Sequence, residues 1–329
     1  MAKVTLEKIA RDMGCSKVAV YKALSDQKGV SDELRGRIKA HADALGYVRR
    51  LSPQEAKNKK FIFFISQDFF LMPSEQYYST IFYFLSAECN KANSTLQIAF
   101  LEPVRTFERM EAAIASFKPD GIFIAGQIGD SILDRIDGLG TPVVVVDYFS
   151  PMHAGNYVFV DNFHLSYALT RYLLGKGHRR IGFVGDVTKT SSIADRYFGY
   201  LKAMREAGVA PDDDWHVNVN IEHNVDVPVM TFANLPTAFL CHCDAAAQWM
   251  YTSLAIKGLR IPDDVSIVSF DNTPLCDSLL PKLTSAGPHK DYYAKKAFTA
   301  MIEVLANPNR NVHVTIRTAL VERGSVRAL

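Results

Sequence analysis

Residues 4–24 read VTLEKIARDMGCSKVAVYKAL, a pattern of two short amphipathic helices on either side of a tight turn. Thr5 and Ser16 each precede a helical pattern, where a hydroxyl caps the free backbone N–H groups of a helix. Gly14 suits the turn, because glycine adopts left-handed backbone conformations at little steric cost. A third helical pattern follows and stops at Gly46. Three helices in this arrangement are typical of a helix-turn-helix that enters the major groove of DNA.

The charge of the chain is divided between a basic head and an acidic body. Residues 1–60 contain 14 Lys and Arg against 7 Asp and Glu, whereas residues 61–329 contain 23 against 28. The head therefore carries +7 and the body −5, a polarity that the net charge of +2 conceals. Charge of this kind on a helix-turn-helix predicts a double-stranded DNA partner. The alternative is a solvated basic surface without a partner.

After residue 60 the chain alternates short apolar runs with helical patterns. Apolar strands between helices indicate an α/β fold of parallel, doubly wound sheets. The predicted strands are 61–66, 96–101, 121–125, 142–147, 180–184, 237–241 and 265–270, and the predicted helices include 77–92, 165–175, 195–207 and 245–257. These strands are too many for one compact sheet of ordinary size, so we expect two units. Because ligands of such folds bind beyond the carboxyl ends of the strands, we expect a ligand cleft between the two units.

The sequence contains no pattern typical of an enzyme, a metal site or a membrane protein. It has no glycine-rich phosphate loop and no nucleophile elbow, so we expect no catalysis and no cofactor. The group Cys-His-Cys-Asp at 241–244 follows a predicted strand and has no second ligand cluster, so we expect no metal there. We interpret Cys15 and Cys89 as reduced core residues. No apolar stretch follows Met1, and we therefore expect a cytoplasmic protein without a signal peptide or membrane span.

The chain resembles the lactose-repressor-like (LacI/GalR) family of bacterial transcription regulators. In the head, the resemblance rests on the opening motif and on GVSDELRGRIKAHADALGY. In the body, it rests on VDNFHLSYALTRYLLGKGHRRIGFVG, DRYFGYLKAMREAG and GLRIPDDVSIVSFDN. The resemblance implies a periplasmic-binding-protein-like body of two α/β subdomains joined by three crossovers. It also implies a homodimer on a near-palindromic operator and an effector, most often a sugar or another metabolite, that alters the orientation of the subdomains.

Three segments follow from this resemblance and from the patterns above. We expect a helix-turn-helix domain at 1–48, a hinge or linker at 49–60, and an effector-binding and dimerisation domain at 61–329. Within the body, the first subdomain is expected at about 61–160 plus 290–320, and the second at about 161–289 plus the C-terminal end.

Matched by position, four side chains are the expected readers of bases in the major groove: Lys17, Val18, Tyr21 and Lys22. Lys22 stands where the family usually has Arg and offers a point charge to guanine, and Val18 suits a thymine methyl group. Tyr21 is placed to reach a base or a phosphate. Thr5 and Ser16 either donate to phosphates or only cap their helices.

The linker departs from the family pattern. Members usually carry Pro-Asn and a leucine that wedges into the minor groove, whereas this chain has Arg49, Arg50 and Ala56 at those places. Residues 52–55 read SPQE, a helix-start signal, so any hinge helix is expected to begin late and to lack the leucine wedge. We expect Arg49 and Arg50 to hold the DNA backbone or minor groove. The alternative is a disordered basic linker in the free protein.

The resemblance also points to effector contacts in the body. Arg196 and Asp271 match positions that grip the effector, and a guanidinium and a carboxylate suit polyol hydroxyls. Asp244 stands in the family's Asn-Asp pair, with Cys243 in place of the Asn. The further candidates near the cleft are Tyr77, Tyr78, Gln127, Thr190 and Ser192. Asp161 is expected to order the crossover and the next helix, and for every candidate the alternative is a capping or ion-pair role.

The remaining expectations concern the dimer interface and the function of the chain. One stripe of the helix 77–92 carries Tyr78, Phe82, Leu85 and Cys89, and its aromatic excess suits a dimer interface. The favoured function is a DNA-binding transcription regulator, most simply a repressor, controlled by a sugar or sugar derivative. The alternatives are a sugar-sensing solute-binding protein without a DNA role, a nucleoside- or purine-responsive regulator, and a metabolic enzyme.

Overall fold

The head forms three helices around a small core. The computed structural model describes residues 4–25, 27–45, 47, 57–70, 76–102, 106–219, 234–308 and 311–329. The head helices are α1 (Leu6–Asp12), α2 (Lys17–Leu24) and α3 (Asp32–Ala44). Ile9, Val20 and Ile38 are fully buried between them, and Gly14 makes the turn at φ +62°. The predicted helix-turn-helix is therefore confirmed.

The body contains twelve strands and nine helices among its described residues. The strands are β1 (Lys60–Ser66), β2 (Thr95–Leu101), β3 (Gly121–Ala125), β4 (Val143–Val146), β5 (Tyr157–Val160), β6 (Ile181–Val184), β7 (His216–Val217), β8 (Ala238–Cys241), β9 (Ser266–Phe270), β10 (Thr284–Gly287), β11 (His313–Ile316) and β12 (Ala319–Val321). The helices are α4 (Gln67–Phe70), α5 (Tyr77–Lys91), α6 (Thr106–Phe117), α7 (Asp130–Asp137), α8 (Asn162–Gly175), α9 (Ser191–Glu206), α10 (Asp244–Ile256), α11 (Leu275–Ser278) and α12 (Lys290–Ala306).

The strands form two six-stranded sheets with the same topology. The first sheet has the order β11-β5-β4-β3-β1-β2, and the second has the order β12-β10-β9-β8-β6-β7. Helices cover both faces of each sheet, as the apolar strands predict: α5 and α12 share one core of the first sheet, and α6 and α7 share the other. Neighbouring strands are parallel except for β10 and β12. There the expectation of wholly parallel sheets is corrected, because β12 follows the last crossover directly and enters at an edge.

The chain passes between the two units three times. The crossovers lie between β5 and α8, between β10 and α12, and between β11 and β12. The last crossover precedes Ala319, close to the expected boundary near 320. All seven predicted strands are present, whereas β5, β7, β10, β11 and β12 were not predicted, since two to four residues carry little periodicity. No helix in the described ranges has both the length and the apolarity that a bilayer crossing requires.

Candidate functional site

A cavity of about 320 Å³ lies between the two body units. Its wall includes residues that directly follow β4, β8 and β9, the carboxyl ends of parallel strands at which ligands of such folds bind. Seven of the eight predicted effector residues line it: Tyr77, Tyr78, Gln127, Thr190, Ser192, Arg196 and Asp271. Asp244 is not among the lining residues.

Arg196 and Asp271 form a buried ion pair in the wall of the second unit. Arg196 Nη2 is 3.3 Å from Asp271 Oδ1, and the two side chains are only 9% and 10% exposed. Arg196 also donates from Nε to Asn162 Oδ1 at 2.8 Å and from Nη1 to the His242 carbonyl, and it lies over the Phe270 ring. Burial raises the pKa of Asp271 to about 6, and the charge of Arg196 opposes that rise. Burial thus disfavours the charged form of the Asp271 carboxylate, and the ion pair with Arg196 favours it.

Asp147 faces the cavity from the first unit and was not predicted. Its Oδ1 accepts a hydrogen bond from Tyr77 Oη at 2.9 Å, and its Oδ2 accepts one from Tyr78 Oη at 2.8 Å. The Tyr293 hydroxyl lies 3.4 Å from Oδ1 and 2.8 Å from the carbonyl of Val158, so it is shared between the two acceptors. Burial raises the pKa of Asp147, and Arg196 opposes that rise without pairing with it. Among the described side chains, Asp147 therefore receives three neutral tyrosine donors, the one from Tyr293 being the longest, and no salt bridge.

The two carboxylates occupy equivalent places in the two units. Asp147 directly follows β4 and Asp271 directly follows β9, and each of these strands is third from the same edge of its sheet. Both residues have left-handed backbones, with φ of 66° and 94°. A non-glycine residue holds such a conformation at a cost of about 1–3 kcal/mol, and such strain clusters at functional sites. The repeated geometry points two carboxylates at one cavity.

Tyr77 contacts Asp147 and Lys290 in the wall of the cavity. Its side chain is buried, its hydroxyl is used by Asp147, and Lys290 Nζ lies 5.0 Å from the centre of its ring. Lys290 also donates to the carbonyl of Asp271, and burial lowers the pKa of Lys290. Tyr77 therefore positions Asp147, and Tyr78, which also bonds to Asp147, is the more exposed of the two rings in the wall.

A polar contact joins the two units at the cavity. Gln127, which follows β3, accepts a hydrogen bond at its Oε1 from the backbone N–H of Ser191, at 2.7 Å. Ser191 is the first residue of α9, and Thr190 caps that helix by accepting from Ile193 N at 3.3 Å. The hydroxyls of Thr190 and Ser192 are 2.9 Å apart. Thr190 and Ser192 order the start of α9, and the hydrogen bond between Gln127 and Ser191 joins the two units in the orientation seen here.

The prediction of an effector contact by Asp244 is corrected by its surroundings. Its Oδ2 accepts from Thr273 N at 2.6 Å and from Thr273 Oγ1 at 2.8 Å. Its Oδ1 accepts from the hydroxyls of Ser269 and Ser285. Because four donors from the second unit occupy both oxygens, Asp244 is a buried structural carboxylate. No group of three metal-ligating side chains occurs in the described part of the chain.

Other predicted residues near the cavity have structural roles. Asp161 caps α8 by accepting from His164 N at 3.0 Å, which confirms the expectation that it orders this helix. Cys243, in the place of the family's Asn, caps α10 through its sulfur. Burial lowers the pKa of His242 to about 4, so its ring is neutral near pH 7.

In the head, α2 presents the four predicted base readers on its outer side. Lys17 and Val18 are exposed, with Val18 at 61%, whereas Tyr21 and Lys22 are half-buried. The Lys17 ammonium pairs with Glu7 of α1. The base contacts themselves remain predictions, as do those of Arg49 and Arg50, which lie outside the described residues.

The predicted caps of the head helices are confirmed. Thr5 Oγ1 accepts from Lys8 N at 3.3 Å, and Ser16 Oγ accepts from Ala19 N at 3.1 Å. Their phosphate contacts remain predictions.

Arg35 has a role that was not predicted. Its guanidinium lies 2.9–3.5 Å from four backbone carbonyls at the end of α2 and in the following turn, those of Lys22, Ala23, Gln27 and Val30. The carbonyls of Lys22 and Ala23 belong to the last turn of α2, where carbonyls lack their usual intrahelical partner, and Arg35 adds a donor to the backbone N–H groups that reach them. Arg35 therefore fixes the direction in which α2 leaves the core.

Known proteins resemble this chain in both its head and its body. Residues 170–326 match the model of the periplasmic binding protein-like domain. The chain is 23% identical to the HTH-type transcriptional repressor PurR of Vibrio atlanticus (strain LGP32) over 99% of both chains. It is 26% identical to the repressor of the same name from Proteus mirabilis (strain HI4320), over 98% of this chain and 96% of that protein.

Solved structures share the fold at lower identity. The lac repressor dimer bound to operator and the anti-inducer ONPF has a TM-score of 0.71 at 17% identity, covering 99% of this chain and 100% of that one. The complex of the transcriptional regulator CelR with cellobiose has a TM-score of 0.69 at 21% identity, covering 98% and 100%. A LacI family regulator from Enterococcus faecium with bound ribose has a TM-score of 0.67 at 18% identity, covering 82% and 100%.

Proposed function

Because this chain belongs to the LacI/GalR family of transcription regulators, we propose that it is a sequence-specific DNA-binding repressor whose operator affinity is set by a small effector. The curated relatives named above are transcriptional repressors, which supports a regulator and not an enzyme. One observation carries the proposal: a helix-turn-helix with an exposed α2 face and a partly enclosed cavity between two α/β units occur in the same chain.

On DNA, α2 enters the major groove and its outer residues read the bases. Val18 contacts a thymine methyl, Lys22 contacts guanine, and Lys17 and Tyr21 extend the readout to neighbouring bases or phosphates. Thr5 and Ser16 add phosphate contacts that fix the register, and Arg49 and Arg50 hold the adjacent backbone or minor groove. The partner is a near-palindromic operator bound by a homodimer.

The effector is a small carbohydrate or carbohydrate derivative. The volume of about 320 Å³ suits a small ligand, and carboxylate, guanidinium and hydroxyl groups face it from both units. The solved relatives with cellobiose and ribose support this class. A nucleoside or purine is the second candidate, favoured by the rings of Phe69 and Tyr78, which lie 6.0 Å apart in the wall and suit stacking on a base.

The first body unit offers a surface for the second protomer. Within the stripe expected to be shared with a partner, Phe82 packs in an edge contact 5.4 Å from Phe63, and Leu85 and Cys89 are buried. The stripe therefore belongs to the core, and the exposed aromatic ring of α5 is Tyr83, at 67%. We place the dimer contact on this side of α5, where Tyr83→Ser is expected to favour the monomer in light scattering after size exclusion.

The proposal is tested by operator selection with the full-length protein. Duplexes selected from a randomised library are measured by fluorescence anisotropy at two salt concentrations, with Lys22→Ala compared with Lys295→Ala, an exposed lysine of α12. Loss of a base contact is expected to weaken binding to the selected duplex by about 1–3 kcal/mol and to weaken binding to random DNA less. Failure to enrich any sequence, or equal losses on both DNAs, refutes sequence-specific recognition by α2.

A further inference from the structure

The charges around the cavity restrict the kind of effector that it admits. Five aspartates line the cavity, whereas Lys189 and Arg196 are the only Lys or Arg side chains among the described lining residues. Asp161 and Asp186 are partly exposed and Asp195 is exposed, and Asp147 and Asp271 line the cavity from the two units. A partly enclosed space with an excess of one charge concentrates the opposite charge and repels the same one.

The two facing carboxylates are unequally compensated. Asp271 has the guanidinium of Arg196 at 3.3 Å, whereas the donors to Asp147 among the described side chains are the neutral hydroxyls of Tyr77, Tyr78 and, at 3.4 Å, Tyr293. An ionised carboxylate accepts about four hydrogen bonds, so Asp147 retains room for further donors. A charged donor suits it best, because charge-assisted hydrogen bonds are about twice as strong as neutral ones.

Aromatic rings complete an environment suited to a cation. Tyr78 lies against Phe69, and Phe149 stacks on Phe159 with ring centres 4.9 Å apart, and all four side chains line the cavity. The face of an aromatic ring attracts an ammonium group, and the same face stacks on the C–H groups of a sugar ring. Carboxylates beside aromatic faces therefore favour a ligand that has both a hydroxylated ring and a positive charge.

We propose that the effector is a hydroxylated ring compound with a positively charged amine, of the amino-sugar class, whose ammonium group pairs with Asp147. This inference rests on the proposed function, since it takes the cavity to be the effector site. The ring hydroxyls bond to Asp271 and Arg196. A phosphorylated sugar places its charge against the negative excess, and a neutral sugar leaves Asp147 without a charged partner.

Matched sugars test the inference on the full-length protein. Isothermal titration calorimetry compares glucosamine with glucose, N-acetylglucosamine and glucosamine 6-phosphate. A second series compares galactosamine with galactose, N-acetylgalactosamine and galactosamine 6-phosphate. In at least one series the free amine is expected to bind about tenfold tighter than each of its counterparts. Asp147→Asn is expected to abolish this preference, whereas Asp291→Asn, at an exposed aspartate of α12, is expected to keep it.

Three results overturn the inference: equal affinity for an amine and its neutral counterpart, preference for a phosphorylated sugar, or no binding of either amine. If Asp147→Asn does not fold, the wild-type comparison of the matched sugars decides alone. Anisotropy with the selected operator is measured on the same preparations. Operator binding without an amine preference defeats only this inference, whereas absence of specific DNA binding defeats the proposed function.

Discussion

Arg196 offers the sharpest test of how the cavity wall is stabilised. Arg196→Met keeps most of the side-chain volume but leaves Asp271 buried without its cation. Breaking a buried ion pair on one side costs about 3–5 kcal/mol, because the remaining charge is uncompensated. For a domain of this size, each kcal/mol lowers the melting temperature by about 2–4 °C, so we expect a decrease of about 6–20 °C. The exposed Arg179→Met is the matched control.

The pH dependence of the stability lost in Arg196→Met tests whether the charge on Asp271 causes that loss. Burial raises the pKa of Asp271 to about 6, and loss of Arg196 raises it further. A carboxyl group with a raised pKa in the folded state binds its proton more tightly there, so its contribution to stability is present at low pH and lost as pH rises through the folded pKa. The loss in free energy of unfolding caused by Arg196→Met is therefore expected to be larger at about pH 8 than at about pH 5. The difference is about 1.4 kcal/mol for each unit by which the variant raises the pKa of Asp271 within this pH interval.

Urea unfolding followed by tryptophan fluorescence provides the measurement. The chain has two tryptophans, Trp215 and Trp249, and both lie in cores of the second unit, the unit that contains the ion pair. The double variant Arg196→Met/Asp271→Asn is expected to recover at least about 1–2 kcal/mol of the loss, since a neutral pair carries no stranded charge. Equal costs at both pH values together with strictly additive single losses would refute this account of the wall.

Three further predictions concern the head, the packing of α8 on α9, and acid stability. Arg35→Ala is expected to speed hydrogen exchange at the end of α2 and to weaken specific operator binding, with partial rescue by Arg35→Lys, because several carbonyls lose their donor. Gly199→Ala is expected to cost about 3 kcal/mol in urea unfolding, whereas Gly175→Ala has no such clash; a Cβ at 199 lies 2.2 Å from a carbonyl oxygen of α8, and one at 175 meets nothing within 4 Å. Burial lowers the pKa of His242 from 6.5 to about 4, so wild-type stability is expected to fall as pH drops through this interval. His242→Asn is expected to reduce that fall and the exposed His164→Asn to leave it unchanged; identical pH profiles for the three proteins would contradict it.

The features predicted most accurately follow from local rules. Thr5 and Ser16 cap their helices and Gly14 turns the chain, because each effect depends on neighbours within a few residues. The longer apolar strands were likewise readable from their own residues. The short edge strands were not, since β10 reads TSAG and owes its strand conformation to β9 beside it.

The cavity was predictable only in part, because its chemistry depends on residues far apart in the sequence. Asp147 is the last residue of the predicted strand 142–147, and Asp271 directly follows the predicted strand 265–270, so an aspartate at the end of an apolar run is the available signal. Its tyrosine partners lie about 70 residues earlier, at separations that no periodicity reports. For Asp244 the prediction of an effector contact is wrong for the same reason. Its motif position is evident in the sequence, but its oxygens accept hydrogen bonds from residues 25–41 positions later.

The placement of the two inner carboxylates also explains how the cavity can control DNA binding. A ligand shifts an equilibrium between two orientations only by the difference between its affinities for them. A ligand that contacts one unit alone binds both orientations equally and shifts nothing, however tightly it binds. A ligand that joins Asp147 to Asp271 favours the orientation in which both are within its reach, the one in which Gln127 also bonds to Ser191 across the units. If the cavity is the effector site, as proposed above, an effector that switches DNA binding has to contact both units, because contacts with one unit alone give affinity without a switch.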